Sequence, residues 1–172
     1  MRGGWLMLAA AGFALSVAPA TAQPPAPIVP SAERAGIRLP VQLCTLIQER
    51  LDSAPGGIYS IYRRSGESTL RIYVDRAAQS VDGEFNDTER AISGYFGDIV
   101  MLRELPAPAG APDARARLWR GILDGARVMT GLWLWHHDGL RIKLRGTVPL
   151  GDGERLWPEI ECAVRALTGG AG

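Results

Sequence analysis

The stretch RVMTGLWLWHHDGLRIKLRGTV, residues 127–148, contains two runs of alternating side chains on either side of Asp138-Gly139. An Asp-Gly pair between such runs is a strong signal for a β-hairpin with a two-residue turn. The strands cover 127–137 and 140–148, and the predicted pairs are His137 with Leu140, Trp135 with Ile142 and Trp133 with Leu144. The opposite face then carries Leu132, Leu134 and His136 against Arg145, Lys143 and Arg141.

A second hairpin is predicted earlier in the chain, where residues 58–64 and 69–76 flank the turn-forming sequence 65–68. With Gly66-Glu67 at its tip, Arg64 pairs with Thr69. The apolar face then holds Tyr59, Ile61, Ile72 and Val74, and the polar face holds Ser60, Tyr62, Arg71 and Tyr73. One apolar and one polar face are typical of a half-buried antiparallel pair.

Helical spacing of apolar residues predicts four helices around these hairpins. The first begins at Pro40 and carries Leu43, Ile47 and Leu51. The second, capped by Asp87, carries Ile92, Phe96, Ile99 and Leu102. A third, capped by Asp113, carries Leu118, Trp119 and Leu123, and the last carries Leu156, Ile160, Ala163 or Val164, and Leu167. In this last helix Pro158 should lie in the first turn, with Asp152 or Glu154 near the cap.

The resulting order is α-β-β-α-(α)-β-β-α, which predicts the α+β class. We expect an antiparallel sheet made of the two hairpins, with at least four strands, and with the helices packed on one face. Residues 37–169 form the single domain in this interpretation. Residues 23–36 are rich in proline and are predicted to be a disordered leader.

The first 22 residues have the three parts of a cleavable signal peptide. Arg2 precedes the apolar run 5–17, and Ala20 and Ala22 are the small residues of a cleavage site after Ala22. This predicts a periplasmic or secreted protein. The mature chain contains no apolar segment of the ~20 residues that a membrane-spanning helix needs.

Charge and cysteine content narrow the functional classes further. The formal net charge is +1, so there is no basic excess of the kind that nucleic-acid binding requires. Lys143 is the only lysine among 19 basic residues. Cys44 and Cys162 are the only cysteines, and in an exported chain they are predicted to form a disulfide.

The sequence indicates no catalytic residue. His136 and His137 are the only histidines, but neighbouring strand residues point to opposite faces, so we expect no metal site there. No nucleophile-elbow sequence and no glycine-rich phosphate loop is present, so no cofactor is expected. Asp82, Glu84 and Asp87 lack the spacing of a calcium loop and are predicted to lie in a solvated loop.

Basic, aromatic and aliphatic residues alternate along the open face of the predicted sheet. The candidate binding residues are Tyr62, Arg71, Tyr73, Leu132, Leu134, Arg141, Lys143 and Arg145. An ordinary solvated face would explain the charges, but it would not require the two leucines. The favoured interpretation is a non-catalytic binding or envelope-accessory protein that docks an envelope protein, or an anionic glycan or lipid surface. The alternative is a small periplasmic hydrolase with a site near His136 and His137.

The strand from Thr130 to His136, followed by the alternating segment 140–145, resembles a hairpin near the C-terminus of many uncharacterised exported bacterial proteins. The resemblance covers roughly the last fifty residues. It implies an exported α+β protein, and it implies no activity.

The cleavage site makes the export prediction testable. We expect the intact mass of protein recovered from the periplasm to correspond to a chain that begins at Gln23, because small residues precede it at positions −3 and −1. A mature species that still contains Met1 would contradict export by a cleavable signal peptide.

Overall fold

The computed structural model describes residues 39–54, 56–64 and 68–168. The predicted signal peptide and proline-rich leader lie outside these residues. The strands are β1 (Gln42–Leu43), β2 (Leu46–Ala54), β3 (Gly57–Arg64), β4 (Ser68–Arg76), β5 (Gly97–Glu104), β6 (Arg115–Leu123), β7 (Ala126–His137) and β8 (Leu140–Pro149). The helices are α1 (Val81–Tyr95) and α2 (Gly153–Leu167), and a short 3-10 turn (Leu150–Asp152) precedes α2.

All eight strands form one antiparallel sheet in the order β1-β2-β3-β4-β8-β7-β6-β5. Strands β1–β4 and β5–β8 are therefore two four-stranded meanders, each followed by a helix, and they join where β4 pairs with β8. The predicted order and the predicted two-hairpin sheet were wrong. The sheet is twice as large as the expected minimum, and two of the predicted helices are strands.

The first predicted helix, beginning at Pro40, corresponds to β1 and β2. The register of β2 against β3 shifts between Gln48 and Arg50, which marks a β-bulge. Because a bulge adds one residue, Leu46 and Leu51 both contact the core although they are an odd number of positions apart. The bulge therefore removes the two-residue alternation of a strand and leaves a spacing that resembles a helix.

Loss of the two-residue alternation, from different causes, also explains two further corrections. Ile99 and Leu102, predicted to lie in the second helix, belong to β5, whose register against β6 shifts twice. The predicted third helix after Asp113 is β6, where Leu118 and Trp119 enter clusters on opposite sides of the sheet. A strand that is buried on both faces has consecutive apolar residues, and these carry no strand periodicity.

Helix α1 begins earlier than predicted. Its N-cap is Ser80, whose hydroxyl accepts a hydrogen bond from the Gly83 N–H, instead of Asp87. The acidic segment that was predicted to be a solvated loop forms the first turns of this helix.

The last predicted helix is confirmed as α2, except for the position of its proline. Its N-cap is Asp152, and its apolar stripe is buried at Leu156, Ile160, Val164 and Leu167. The expectation that Pro158 lies in the first turn was wrong, because the helix begins earlier, at Gly153, and Pro158 lies inside it. No helix within the described ranges is long and apolar enough to cross a membrane.

The two helices pack on opposite faces of the sheet, because β7 is buried on both sides. Leu132 and Leu134 belong to the cluster under α1, whereas Trp133 stacks on Trp157 of α2 with 5.8 Å between ring centroids. The expectation that all helices share one face was wrong. It overlooked that the run 132–135 supplies an apolar side chain to each face in turn.

Helix α2 lies directly on the sheet backbone at a pair of glycines. Gly131 and Gly146 are register partners in β7 and β8. A Cβ atom at Gly131 would lie 2.4 Å from Trp157, and one at Gly146 would lie 2.4 Å from Ile160. These separations are far inside van der Waals contact, so only glycine permits this close approach.

Of the two predicted hairpin registers, one is correct and the other is wrong. The β7–β8 register is the predicted one, with His137 opposite Leu140. The β3–β4 register is displaced by one residue, because Arg64 pairs with Ser68 and not with Thr69. A displacement of one residue exchanges the faces of a whole strand, so the inward and outward residues of β3 are the reverse of those predicted.

The predicted disulfide is confirmed. Cys44 and Cys162 are bonded, with their Cα atoms 6.3 Å apart. The bond links the turn between β1 and β2 to α2, instead of joining two helices. It therefore fixes the outer end of the first meander to the helix of the second.

Removing this bond should lower stability strongly. In the chain-entropy model, a crosslink across a separation of 118 residues is worth on the order of 4–5 kcal/mol. We expect the paired variant Cys44→Ala/Cys162→Ala to lose a free energy of unfolding of this size in urea denaturation. Thiol titration of the unreduced, unfolded protein should find no free thiol. Two free thiols in the unreduced wild-type protein would contradict the bond.

Candidate functional site

One side of β3, β4 and β8 carries a group of basic and aromatic residues, here called the open face. Helix α1 lies on the same side of the sheet but packs on β5, β6 and β7. Helix α2 lies on the other side and packs on β8, β4 and β1. The open face consists of Tyr59, Ile61, Arg71, Tyr73, Arg141, Lys143 and Arg145, all of them half-buried.

Five of the eight predicted binding residues lie together on this face: Arg71, Tyr73, Arg141, Lys143 and Arg145. Leu132 and Leu134 point to the same side, but they are fully buried beneath α1. Their position accounts for them as core residues, so they are not part of an accessible surface.

Tyr62 lies on the opposite side of the sheet, in the core beneath α2. Its hydroxyl donates a hydrogen bond of 2.6 Å to the Pro40 carbonyl and accepts one from Gln48. Burial raises the pKa of Tyr62 to about 12, although hydrogen bonds to Ser60 and Gln48 act against this rise. The shifted β3–β4 register is the reason that this residue was misplaced.

Arg141 is neutralised by carboxylates. Its guanidinium donates two hydrogen bonds to Asp75, of 2.7 and 2.5 Å, and its Nε lies 3.9 Å from Glu84. The bonds to Asp75 are the main cause that raises the pKa of Arg141. Because Asp75 neutralises its charge, Arg141 stabilises the fold. Little of its positive charge remains available to attract a ligand.

Arg71, Lys143 and Arg145 differ from Arg141. None of the three has a carboxylate within 4.0 Å among the described residues, and the Nε of Arg71 is buried without a hydrogen-bond partner there. The cost of desolvation lowers the pKa of Lys143 and of Arg145, and in each case the charge of a neighbouring arginine lowers it further. The fold thus holds three unmatched positive charges close together.

Aromatic rings support two of these cations. The Lys143 ammonium lies 4.5 Å from the ring centroid of Tyr73, and the Arg145 guanidinium lies 4.9 Å from that of Phe96 at the end of α1. Tyr59 packs beside Tyr73 with ring centroids 4.9 Å apart. Cation–π contacts of this kind offset part of the desolvation cost without neutralising the charge.

Glu84 fastens α1 to the sheet beside this face. It is 2 % exposed, accepts a hydrogen bond from the Ala78 N–H, and lies 2.8 Å from the His136 Nε2. Desolvation acts to raise the pKa of Glu84, but the hydrogen bonds from Ala78, His136 and Gln79 and the charge of Arg141 together lower it. The carboxylate therefore remains ionised in the interior.

Sequence reasoning missed Glu84, Tyr59 and Phe96. Ser80, three residues before Gly83, was the available signal for the earlier helix start that buries Glu84. A three-residue connection between β3 and β4 would have placed Tyr59 on the open face. No sequence signal indicated that the end of α1 would lie beside Arg145.

The two histidines have separate environments. His136 is paired with Glu84, while His137 is largely exposed, with 3.9 Å between its Nε2 and Asp138. No serine or cysteine hydrogen-bonds to either ring among the described residues, and both cysteines are in the disulfide. The arrangement at His136 therefore positions a helix and offers no nucleophile next to a base.

The role of Glu84 predicts a pH-dependent loss of stability. We expect Glu84→Gln to lower the free energy of unfolding by about 1–3 kcal/mol at pH 7, because hydrogen bonds to a buried charge are lost. A carboxylate with a lowered pKa stabilises the fold above its unfolded pKa and ceases to do so as the pH falls through its folded pKa. The difference from wild type should therefore shrink below about pH 4, in the range where glutamate protonates.

Urea denaturation at pH 7 and pH 3.5 measures this difference. Asp87→Asn is the matched control, since Asp87 lies on the same helix but is exposed. Asp87→Asn should leave the stability close to that of wild type at either pH, because exposed ion pairs contribute little. An unchanged stability of Glu84→Gln at pH 7 would contradict the anchoring role.

No family model matches the chain, and no curated protein matches it. Among solved structures, the fold is similar to the crystal structure of a protein of unknown function, PA94 from Pseudomonas aeruginosa, which is described as a putative regulator. The TM-score is 0.54 at 11 % sequence identity, over 71 % of this chain and 95 % of that one. A likeness at this identity establishes a shared fold and carries no residue-level function.

Proposed function

We propose that this protein is a periplasmic, non-catalytic binding protein that takes an anionic partner from the cell envelope on its open face. The observation that carries the proposal is the group of three half-buried cations, Arg71, Lys143 and Arg145, with no carboxylate partner among the described residues. Unmatched charges that are partly removed from water are unfavourable in the free protein. An anion bound on this face would relieve that cost.

The distribution of charge around the face supports an anionic partner. The chain as a whole is nearly neutral, with a formal charge of +1, so attraction to anions would be a local property. Nearby arginines are matched within the protein: Arg50 pairs with Asp52, and Arg63 with Glu49. In the middle of the face, by contrast, no carboxylate among the described residues matches Arg71, Lys143 or Arg145.

The disulfide and the predicted signal peptide support the periplasmic part of the proposal. Disulfides form and persist in oxidising compartments and are rare in the cytosol. The Cys44–Cys162 bond is therefore consistent with export. The predicted signal peptide, with cleavage after Ala22, would direct that export.

A charge-matched pair of triple variants tests the function. In the first, Arg71→Gln, Lys143→Gln and Arg145→Gln remove the unmatched cations. In the second, Arg90→Gln, Arg120→Gln and Arg165→Gln remove three exposed positive charges from elsewhere. Both variants lose the same net charge, so a difference between them reports on the open face alone.

We expect wild type to bind immobilised heparin, a soluble anionic glycan used as the probe, and to be eluted by salt because added ions screen the charges. The first variant should elute at much lower salt than the second. It should also be at least as stable as wild type in urea, since the repulsion among the three cations is gone. Equal elution of the two variants, or no retention of wild type, would contradict the proposed function.

A further inference from the structure

We propose that Arg71, Lys143 and Arg145 form a discrete site for a phosphate monoester, a compact tetrahedral dianion. This inference rests on the proposed function and names the chemical group by which the partner is held. The observation that carries it is the placement of Arg71, Lys143 and Arg145 close together on one face of the β4–β8 pairing, with no carboxylate partner among the described residues.

The register places the three side chains within reach of one small group. Arg71 and Arg145 are directly opposite each other in β4 and β8, and Lys143 is the next residue of β8 on the same face. Directly opposite residues of an antiparallel pair have Cβ atoms about 4.5–5.5 Å apart, and diagonal ones about 7–8 Å. Arginine and lysine side chains are long enough to close these distances around a single anion.

The number and type of donors favour a phosphate monoester over a carboxylate. One guanidinium already satisfies a carboxylate through two parallel hydrogen bonds, as Arg141 does with Asp75. Three cations exceed that need. A phosphate monoester has three free oxygens and a charge of about −1.5 to −2 at neutral pH, and the arginine fork matches its geometry.

Two features give the site defined positions for its donors. The Nε of Arg71 is buried and has no partner within the described part of the chain, so a ligand oxygen would satisfy an atom that is otherwise costly to bury. The guanidinium of Arg145 lies over the Phe96 ring, and its Nε lies 3.5 Å from the Thr130 hydroxyl. These contacts hold the guanidinium of Arg145 in place before a ligand binds.

The unmatched positive charge covers only a small area of the open face. Along β8, the next outward residue after Lys143 is Arg141, whose charge is matched by Asp75. Across the sheet, Ile61 lies opposite Arg71 on β3 and carries no charge. A strip of unmatched charge that ends after three residues fits one compact anion better than a long polyanion.

Inorganic phosphate is the probe for this site, with acetate and chloride at equal ionic strength as controls. Binding is followed by NMR on the full ¹⁵N-labelled chain through the arginine Nε–H signals, assigned by their loss in Arg71→Gln and Arg145→Gln. We expect phosphate to shift both signals saturably at pH 8. Acetate should cause shifts that remain linear, as chloride does.

Each of Arg71→Gln and Arg145→Gln should weaken phosphate binding at least tenfold, measured on the remaining signal. Arg90→Gln, at an exposed position on α1, should leave the affinity unchanged. Lowering the pH to 5.5 should weaken binding, because the phosphate is then mainly a monoanion. The inference is overturned if acetate saturates the same signals with the same midpoint, or if neither substitution changes phosphate binding.

A second comparison identifies the source of the group. Glycerol 3-phosphate represents a soluble ester, and phosphatidylcholine vesicles with added phosphatidate represent the same group on a lipid. Sedimentation with the phosphatidate vesicles would assign a membrane-borne ligand, and competition by glycerol 3-phosphate alone would assign a soluble one; either result supports the site. If phosphate fails to bind while the charge-matched variants still differ on heparin, this inference is wrong and the proposed function stands.

Discussion

The burial of β7 on both faces is the constraint on which the architecture depends. Its consecutive residues Leu132 and Trp133 enter different cores, one under α1 and one under α2. Each helix must therefore lie on its own side of the sheet, and a single helix is too narrow to cover eight strands. The side that α1 occupies is left uncovered by the described helices over β3, β4 and β8. The open face is thus a direct consequence of how the core is divided.

On that face, basic residues that are paired with carboxylates and basic residues that are not have different roles. Arg141 joins β8 to β4 through Asp75 and lies close to Glu84, so it contributes to the fold. Arg71 and Arg145 form a register pair further along the same face, beyond Tyr73 and Lys143, and neither has a carboxylate within 4.0 Å among the described residues. Residues of the same type, on the same strands, therefore differ in whether a carboxylate of the described part of the protein matches their charge. Structural residues are usually satisfied within the protein, whereas unsatisfied ones indicate a role toward something outside it.

The parts of the fold that were predictable are those with a local signal. Asp138-Gly139 set the β7–β8 register, and with it the positions of Arg141, Lys143 and Arg145 on one face. The apolar stripe of α2 is likewise a property of its own residues. The bulge after Gln48 removed the alternation of β2, and the length of the β3–β4 connection decided the side on which Tyr62 lies. Burial of Leu132 by α1 depended on packing between distant segments, which no local pattern reports.

The pairing of β4 with β8, which joins the two meanders, has a consequence for folding. Within each meander, strands pair with neighbours in the chain, but β4 and β8 are separated by a helix and three strands. Bringing two such distant strands together costs chain entropy before their contacts can stabilise the pair. This pairing is therefore expected to form last. Arg71 lies on β4, in the first meander, and Lys143 and Arg145 lie on β8, in the second. The three cations therefore come together only in the completed protein, and neither half of the chain carries the group by itself.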